Sequence, residues 1–295
     1  MTNPYLSACV TGVFDRAFLI LGYGSAVFKQ ARHLAGTPDF LIVTDDVSEF
    51  HRVNVARYPQ HYSFLRYTGH RPFAYLNKSA PFVHYSVNAT LATGLTCKYG
   101  VVGKTDLLRT MRTWESLYLP GRLHKPIAII DSVDKVTRSD FEDALLLNRL
   151  NALRLAALLS PAPCTASDLI ERVIGLSYLG DVRMGVAERP DKVRAILEGQ
   201  REELDLIYMP LMPKAGLVET ERGYCANDMV IDSLPQILSS DLPKQRADYQ
   251  RELVRRVCFL NARDSVMQAA KGLLTNPISK TTLYTLRKVR KKLVI

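Results

Sequence analysis

Gly22-Tyr23-Gly24-Ser25 follows a short apolar run, Ala17 to Leu21, and Asp39 opens a second run, Asp39-Phe40-Leu41-Ile42-Val43-Thr44. A Gly-Ser turn leading into a helix offers backbone N–H groups and a hydroxyl to the oxygens of a triphosphate. A carboxylate fourteen residues beyond Ser25, on the neighbouring strand, can hold Mg²⁺ against those phosphates. The chemistry such a set serves is transfer of a phosphate-bearing group, with the metal offsetting charge on the leaving pyrophosphate. Two other readings stand beside it. One is a turn with two glycines and no ligand. The other is a dinucleotide-binding Gly-x-Gly-x-x-Gly turn, for which Asp45 and Asp46 lie near the expected distance for a ribose-binding acid. That reading is weakened by Val27, which fills the third glycine position where close helix–strand packing is needed. The metal reading has its own gap. Phe40 and Leu41 follow Asp39, and one acid cannot easily hold two metals, so Asp45, Asp46 or Asp181 must complete the set.

Several basic residues are placed to meet phosphate. Lys98 lies in a β-rich run, where it either points at the triphosphate or is an exposed face residue. Arg122 and Lys125 lie in a turn bounded by Gly121 and Pro126; Arg grips phosphate through two donors and Lys acts as a point charge. Asp181 and Arg183 form either a local ion pair or a metal ligand with a phosphate clamp. His61 reads more readily as a hydrogen-bonded structural histidine than as a base.

The elements that must position these residues read as mixed α/β. Strands are expected at Ala17 to Leu21, Asp39 to Thr44 and Pro126 to Ile130, with a hairpin from Phe82 to Val87 and Leu95 to Val102. Helical spacing occurs at Ala26 to His33, Val47 to Arg57, Lys104 to Trp114, Ser139 to Leu159 and Arg189 to Ile207. Thr165 is a plausible N-cap with Asp168 at the third helical position. The expected domains are residues 1–135, 136–240 and 241–295, with no internal repeat.

The 295 residues are 47% hydrophobic, enough for a sizeable core, and no run approaches the roughly 20 apolar residues of a membrane span. Met1 to Leu6 does not read as a signal peptide, and an Arg-rich, acid-poor transit peptide was either removed or never existed. The five cysteines are scattered, without a C-x-x-C pair, which argues against a disulfide framework and a zinc site. Net charge is +10, and its distribution is uneven: from Arg251 to Ile295 there are eleven Lys or Arg and two acids, so this segment carries +9. From Ser279, Leu283, Leu286, Val289 and Leu293 recur at helical spacing. Lys280, Arg287, Lys288, Lys291 and Lys292 fall largely on the other side, and Arg290 lies at the edge of the stripe. That pattern suits an amphipathic basic helix lying on an anionic membrane surface; the plain alternative is a solvated basic helix end. RNA is a poorer partner, because the tail lacks interleaved aromatics apart from Tyr284.

Gly22-Tyr23-Gly24-Ser25-Ala26-Val27-Phe28-Lys29-Gln30 resembles the opening motif of the mitochondrial-type CDP-diacylglycerol synthases. The resemblance continues through Asp39-Phe40, Gln60-His61-Tyr62-Ser63, Lys98-Tyr99-Gly100-Val101-Val102, Trp114, Tyr118-Leu119, Gly121-Arg122-Leu123 and Lys125-Pro126. It extends to Leu176-Ser177-Tyr178-Leu179-Gly180-Asp181-Val182-Arg183, Lys192-Val193 and Lys271-Gly272, so it covers nearly the whole chain. It implies a polymerase-β-like nucleotidyltransferase domain, a mostly helical winged-helix-like domain and a membrane-associating C-terminal region. The implied reaction joins CTP to phosphatidic acid with Mg²⁺, at the mitochondrial inner membrane or at a bacterial membrane surface. On this reading Asp39, Asp181 and Lys98 are catalytic, with Asp39 and Asp181 on the metal. Tyr23, Gly24, Ser25, Lys98, Arg122, Lys125 and Arg183 bind nucleotide. The chain departs from the family at Ala26 and at Ala80-Pro81-Phe82, where glycine-containing segments are usual. A transferase acting on RNA and an inactive assembly factor are the alternatives.

Overall fold

The computed structural model describes residues 4–24, 27–28, 37–132, 135–184 and 190–277. The expected helix at Ala26 to His33 lies outside them except for Val27 and Phe28, whose N–H groups both bond to Gly24 O in a turn. The basic tail, Lys280 to Ile295, also lies outside them.

Five strands form one sheet in the order β3-β4-β2-β1-β5: β1 (Leu19–Tyr23), β2 (Asp39–Thr44), β3 (His84–Thr90), β4 (Thr96–Gly103) and β5 (Ile127–Ser132). β2 and β4 run parallel and the other neighbours antiparallel. β1, β2 and β4 are buried on both faces, which explains their nearly continuous apolar sequences. Side chains alternate across the sheet. Leu19, Leu21, Leu41, Val43 and Val102 face one core, and Ile20, Phe40, Ile42, Tyr99 and Val101 face another.

The second of these cores is closed by α1 (Pro4–Val10) and by Phe50 of α2 (Val47–Arg57). Asp46 caps α2 by accepting hydrogen bonds from Ser48 N and Glu49 N at 2.8 and 3.1 Å. A 3-10 turn, Phe64–Thr68, leads into α3 (Arg71–Asn77). The first core is closed by α4 (Lys104–Thr113), α5 (Pro120–Leu123) and the start of α6 (Lys135–Leu159), which contributes Phe141, Ala144 and Leu145.

The second half of α6 turns to a different core. Ala152, Leu153, Leu155, Ala156 and Leu158 pack against α7 (Ala166–Leu176), α8 (Lys192–Gly199) and α9 (Arg201–Tyr208). The change of partner therefore falls inside one helix, not at its start. α7 opens with the Thr165 and Asp168 capping box expected from sequence. The single helix expected over Arg189 to Ile207 is instead two. Gly199 ends α8, and Gln200 is at once its C-cap and the N-cap of α9, because glycine is a poor helix former and an easy place to break. A hairpin, β6 (Leu217–Thr220) and β7 (Gly223–Ala226), closes this unit, with Cys164 bridged to Tyr224.

α10 (Gln236–Ser239) precedes α11 (Arg246–Thr275), a 30-residue helix whose first half adds Tyr249, Leu253, Val257 and Leu260 to the helical core. No helix among the described residues is long and apolar enough to cross a membrane.

Candidate active site

Strand register brings Tyr23, Asp39 and Lys98 into one row, Tyr23 opposite Asp39 on β1 and β2, and Asp39 opposite Lys98 on β2 and β4. By alternation they share the face of Leu21, Leu41 and Val102. At this end of the face, polar groups replace the apolar side chains. Lys98 Nζ is 3.1 Å from Asp39 Oδ1, with side chains 17% and 29% exposed, so the pair is partly open to solvent. Lys98 Nζ also lies 4.4 Å from the Tyr85 ring centroid, and the Tyr85 and Tyr23 hydroxyls are 2.9 Å apart. Burial, then the neighbouring Tyr85 and Asp39, pushes the Tyr23 phenol well above its ordinary pKa, so it stays neutral.

Gly24 continues β1 into the turn with φ +81°, a conformation that a side chain disfavours. A Cβ on Gly24 would sit 3.2 Å from Asp39 Oδ2. The turn backbone thus passes directly beside the carboxylate. Ser25 lies outside the described residues.

Arg122 arrives from α5. Its Nη1 donates to Tyr118 O, and its guanidinium carbon lies 3.6 Å from the centroid of the Tyr118 ring. It faces the phenols of Tyr118, Tyr85, Tyr23 and Tyr178. Arg183 approaches the same Tyr118 ring, 5.6 Å from its centroid. Tyr118 therefore carries two guanidiniums at the end of the sheet that holds Asp39 and Lys98.

Three of the sequence readings fall on residues that have other partners or positions in the structure. Asp181 does not present a free carboxylate to a metal: its side chain is 2% exposed and committed to Arg183. Arg183 Nη2 donates to Oδ2 at 2.5 Å, Nε to Oδ1 at 2.9 Å and the backbone N–H to Oδ1 at 3.0 Å, while Ser265 Oγ donates to Oδ1 at 2.9 Å. These bonds fix the Arg183 guanidinium against Asp181. Asp45 and Asp46 lie at the far end of β2, about 20 Å along the strand from Asp39 at the usual rise per residue, and Asp46 caps α2. Lys125 is turned toward Gly121 O and Ser177 Oγ, both 2.9 Å away, and joins α5 to the end of α7. His61 is structural, bonded to the Tyr99 hydroxyl and to Thr90 O.

Burial alone would raise the Asp181 pKa, but the hydrogen bonds and charge of Arg183 more than reverse it, holding the carboxyl below its ordinary range. A depressed folded-state pKa adds stability above the unfolded value, and this is lost as pH falls through the folded value. Asp181→Asn is therefore expected to cost about 1–3 kcal/mol near pH 7. The gap between variant and parent should close below the carboxylate range. Urea unfolding of both proteins at pH 7 and under acid conditions checks this; a gap independent of pH contradicts the ion-pair origin.

Residues supporting the site from α11 and its C-cap, other than Lys271 of the Lys271-Gly272 match, were missed in the sequence. Asp264 Oδ2 accepts from Ser116 Oγ at 2.8 Å and Leu117 N at 2.9 Å, just before Tyr118. Asn261 Nδ2 donates to Leu176 O and Leu179 O, and Asn276 Nδ2 to Tyr85 O. Lys271 Nζ donates to Ser79 O. The available signal was polar spacing: Asn261, Asp264, Ser265, Gln268, Lys271 and Thr275 recur every three or four residues, so a helix puts them on one side.

Among the described residues no cluster of three or more His, Cys, Asp or Glu is arranged to hold a metal alone. One carboxylate, one ammonium and two guanidiniums lie around a strand-to-turn junction of a mixed α/β protein, a charge arrangement suited to an anionic group. Residues 10–243 match the family described as phosphatidate cytidylyltransferase, mitochondrial, and the chain belongs to that family. Relatives bearing the same name include those of Caenorhabditis briggsae, 36% identical over 67% of this chain and 61% of that protein, and Caenorhabditis elegans, 36% identical over 64% and 59%. The chain thus spans about three fifths of the length of these two relatives. The Xenopus laevis protein is 28% identical over 93% of this chain and 90% of its own length.

Proposed function

We propose that the chain is a phosphatidate cytidylyltransferase that makes CDP-diacylglycerol and pyrophosphate from CTP and phosphatidic acid at a membrane surface. The observation that carries this reading is the Asp39 carboxylate, set beside the Gly24 backbone and paired with Lys98 under the Arg122 and Arg183 cluster. Family membership supplies the substrates. A polymerase-β-like transferase domain followed by a winged-helix-like domain is the architecture this reading implies. The mixed sheet, and the helices α6–α9 with the β6–β7 hairpin, are consistent with it.

In this reaction a phosphate oxygen of phosphatidic acid attacks the α-phosphorus of CTP, and the bond from that phosphorus to the bridging oxygen breaks. The second pKa of a phosphomonoester is about 6, so the nucleophile is already ionised near neutrality and no strong base is needed. Lys98, Arg122 and Arg183 supply fixed positive charge to bind the triphosphate and offset charge on departing pyrophosphate. The Gly24 turn lets backbone approach the phosphates closely.

Asp39 fits Mg²⁺, because that ion commonly takes one or two carboxylates and completes its shell with substrate phosphates and water. Its Oδ2 lies toward the Gly24 turn while Oδ1 faces Lys98. When bound, the ion supplies charge neutralisation on the triphosphate. Chelation should abolish CDP-diacylglycerol formation, and excess Mg²⁺ should restore it. Full turnover in chelator contradicts the metal part of the proposal. The mitochondrial name of its relatives supports a mitochondrial setting, and the proposal extends this to a peripheral position on the matrix side of the inner membrane.

A further inference from the structure

The second half of α11 is built inside out. Its buried side carries Asn261, Asp264, Ser265, Gln268, Lys271 and Thr275. Every exposed residue from Val257 to Asn276 is Phe, Val, Met, Ala or Leu. Phe259, Val266 and Leu273, seven residues apart and so on one side of the helix, are 62%, 54% and 68% exposed. Met267 and Leu274 lie beside this line and are also exposed. The first half of the same helix is ordinary, exposing Arg246, Arg251 and Arg255 around a buried apolar stripe. Soluble surfaces rarely carry a continuous apolar strip of this kind unless something covers it.

Two features say what covers it. The end of α11 packs against the turn Phe64–Thr68, where Ser63 N donates to Thr275 O at 2.9 Å, and that turn packs against α3. The turn exposes Phe64 and Tyr67; α3 exposes Tyr75 between Arg71 and Lys78, at i, i+4 and i+7 on one side. Exposed aromatics beside cations are the composition of surfaces that sit at a bilayer interface. The strip is also continuous in sequence with residues 278–295, which hold six Lys or Arg and no acid. An anionic bilayer matches the apolar strip, the exposed aromatics and this excess of positive charge together.

We infer that the solvent side of α11 from Phe259 to Leu274, with the Phe64–Thr68 turn and the outer side of α3, is a seat for an anionic lipid bilayer. The inference rests on the phosphatidate reading and assigns that site its lipid surface. The buried side of the same helix segment holds Asp181 through Ser265 and the Ser116–Leu117 backbone through Asp264, so bilayer and site share one rigid element.

The test uses the full chain and the double variant Val266→Glu/Leu273→Glu, neither position touching the site. Vesicles of phosphatidylcholine with phosphatidic acid are sedimented with each protein. The double variant should bind at least about tenfold more weakly, since two apolar side chains can no longer be buried. Activity on these vesicles should fall in parallel, while activity on short-chain phosphatidic acid, dispersed as monomers, should stay within about twofold of the parent. A second variant, Leu273→Trp, adds an indole whose emission should shift to the blue on vesicles, over a constant background from the native Trp114, which is buried. Unchanged vesicle binding by the double variant, or no shift from the introduced indole, overturns the inference. So does a parent dimer in solution that the double variant dissolves, which would make the strip an interface between copies. A parent that forms no lipid product from either substrate, yet loses vesicle binding in the double variant, overturns the transferase reading and leaves the bilayer seat standing.

Discussion

Asp39→Asn should lower turnover with CTP and phosphatidic acid by about three orders of magnitude while leaving the protein folded. The substitution keeps the shape of the side chain and removes its charge. Asp39 is the only acid in the row that register builds across β1, β2 and β4; Asp181 is paired with Arg183, Asp46 caps α2, and Asp45 lies beyond the far end of β2. No neighbouring carboxylate is therefore in place to substitute for it. Stability should fall by no more than about 1–3 kcal/mol, because the amide oxygen can still accept from Lys98 in this largely buried pair. The two readouts separate the possibilities. Single-turnover kinetics measures the chemical step and thermal unfolding measures the fold. Near-normal turnover in a folded variant contradicts the assignment of Asp39.

Gly180→Ala should have the largest effect on the fold. Gly180 has φ +70° and lies where the Asp181–Arg183 loop crosses α11. A Cβ there would lie 2.6 Å from Cys258 Cα and 2.7 Å from Cys258 O. These are backbone atoms in the middle of a long helix, so no side-chain rotation relieves the clash. Left-handed strain and overpacking add, for about 3 kcal/mol or more of lost stability. Arg183 should also be displaced from Tyr118, and turnover should drop beyond what partial unfolding explains. Urea unfolding with parallel assays below the unfolding transition measures both. A variant as stable as the parent would mean that the loop does not approach α11 this closely.

Local signals carried much of the fold into the sequence. The apolar run Asp39 to Thr44, the spacing of Val47, Phe50 and Val53 and the Thr165/Asp168 cap each depend on neighbours in the chain, and each element forms. Gly24 and Asp39 were legible because a Gly-rich turn and a strand-opening acid are local features. Their neighbours in space were not. Pairing Asp39 with Lys98 requires the parallel β2–β4 register, which joins segments almost sixty residues apart in sequence. Asp181 was read two ways, as a local ion pair or as a metal ligand, and the ion pair is the one visible here, because Arg183 two residues on reaches both carboxylate oxygens. Tyr118 gave no sign of lying beside two arginines. The second half of α11 was opaque for a different reason: its polar residues face inward and its apolar residues outward, the reverse of the pattern by which a helix is normally oriented.

The most direct test is to incubate the purified chain with Mg²⁺, phosphatidic acid vesicles and CTP labelled in its α-phosphate, and to separate the lipid fraction. The expected result is label in a lipid that co-migrates with CDP-diacylglycerol, with one pyrophosphate released per label transferred, and none from Asp39→Asn. Absence of labelled lipid from the folded parent, or label transferred to RNA instead, would contradict the assignment.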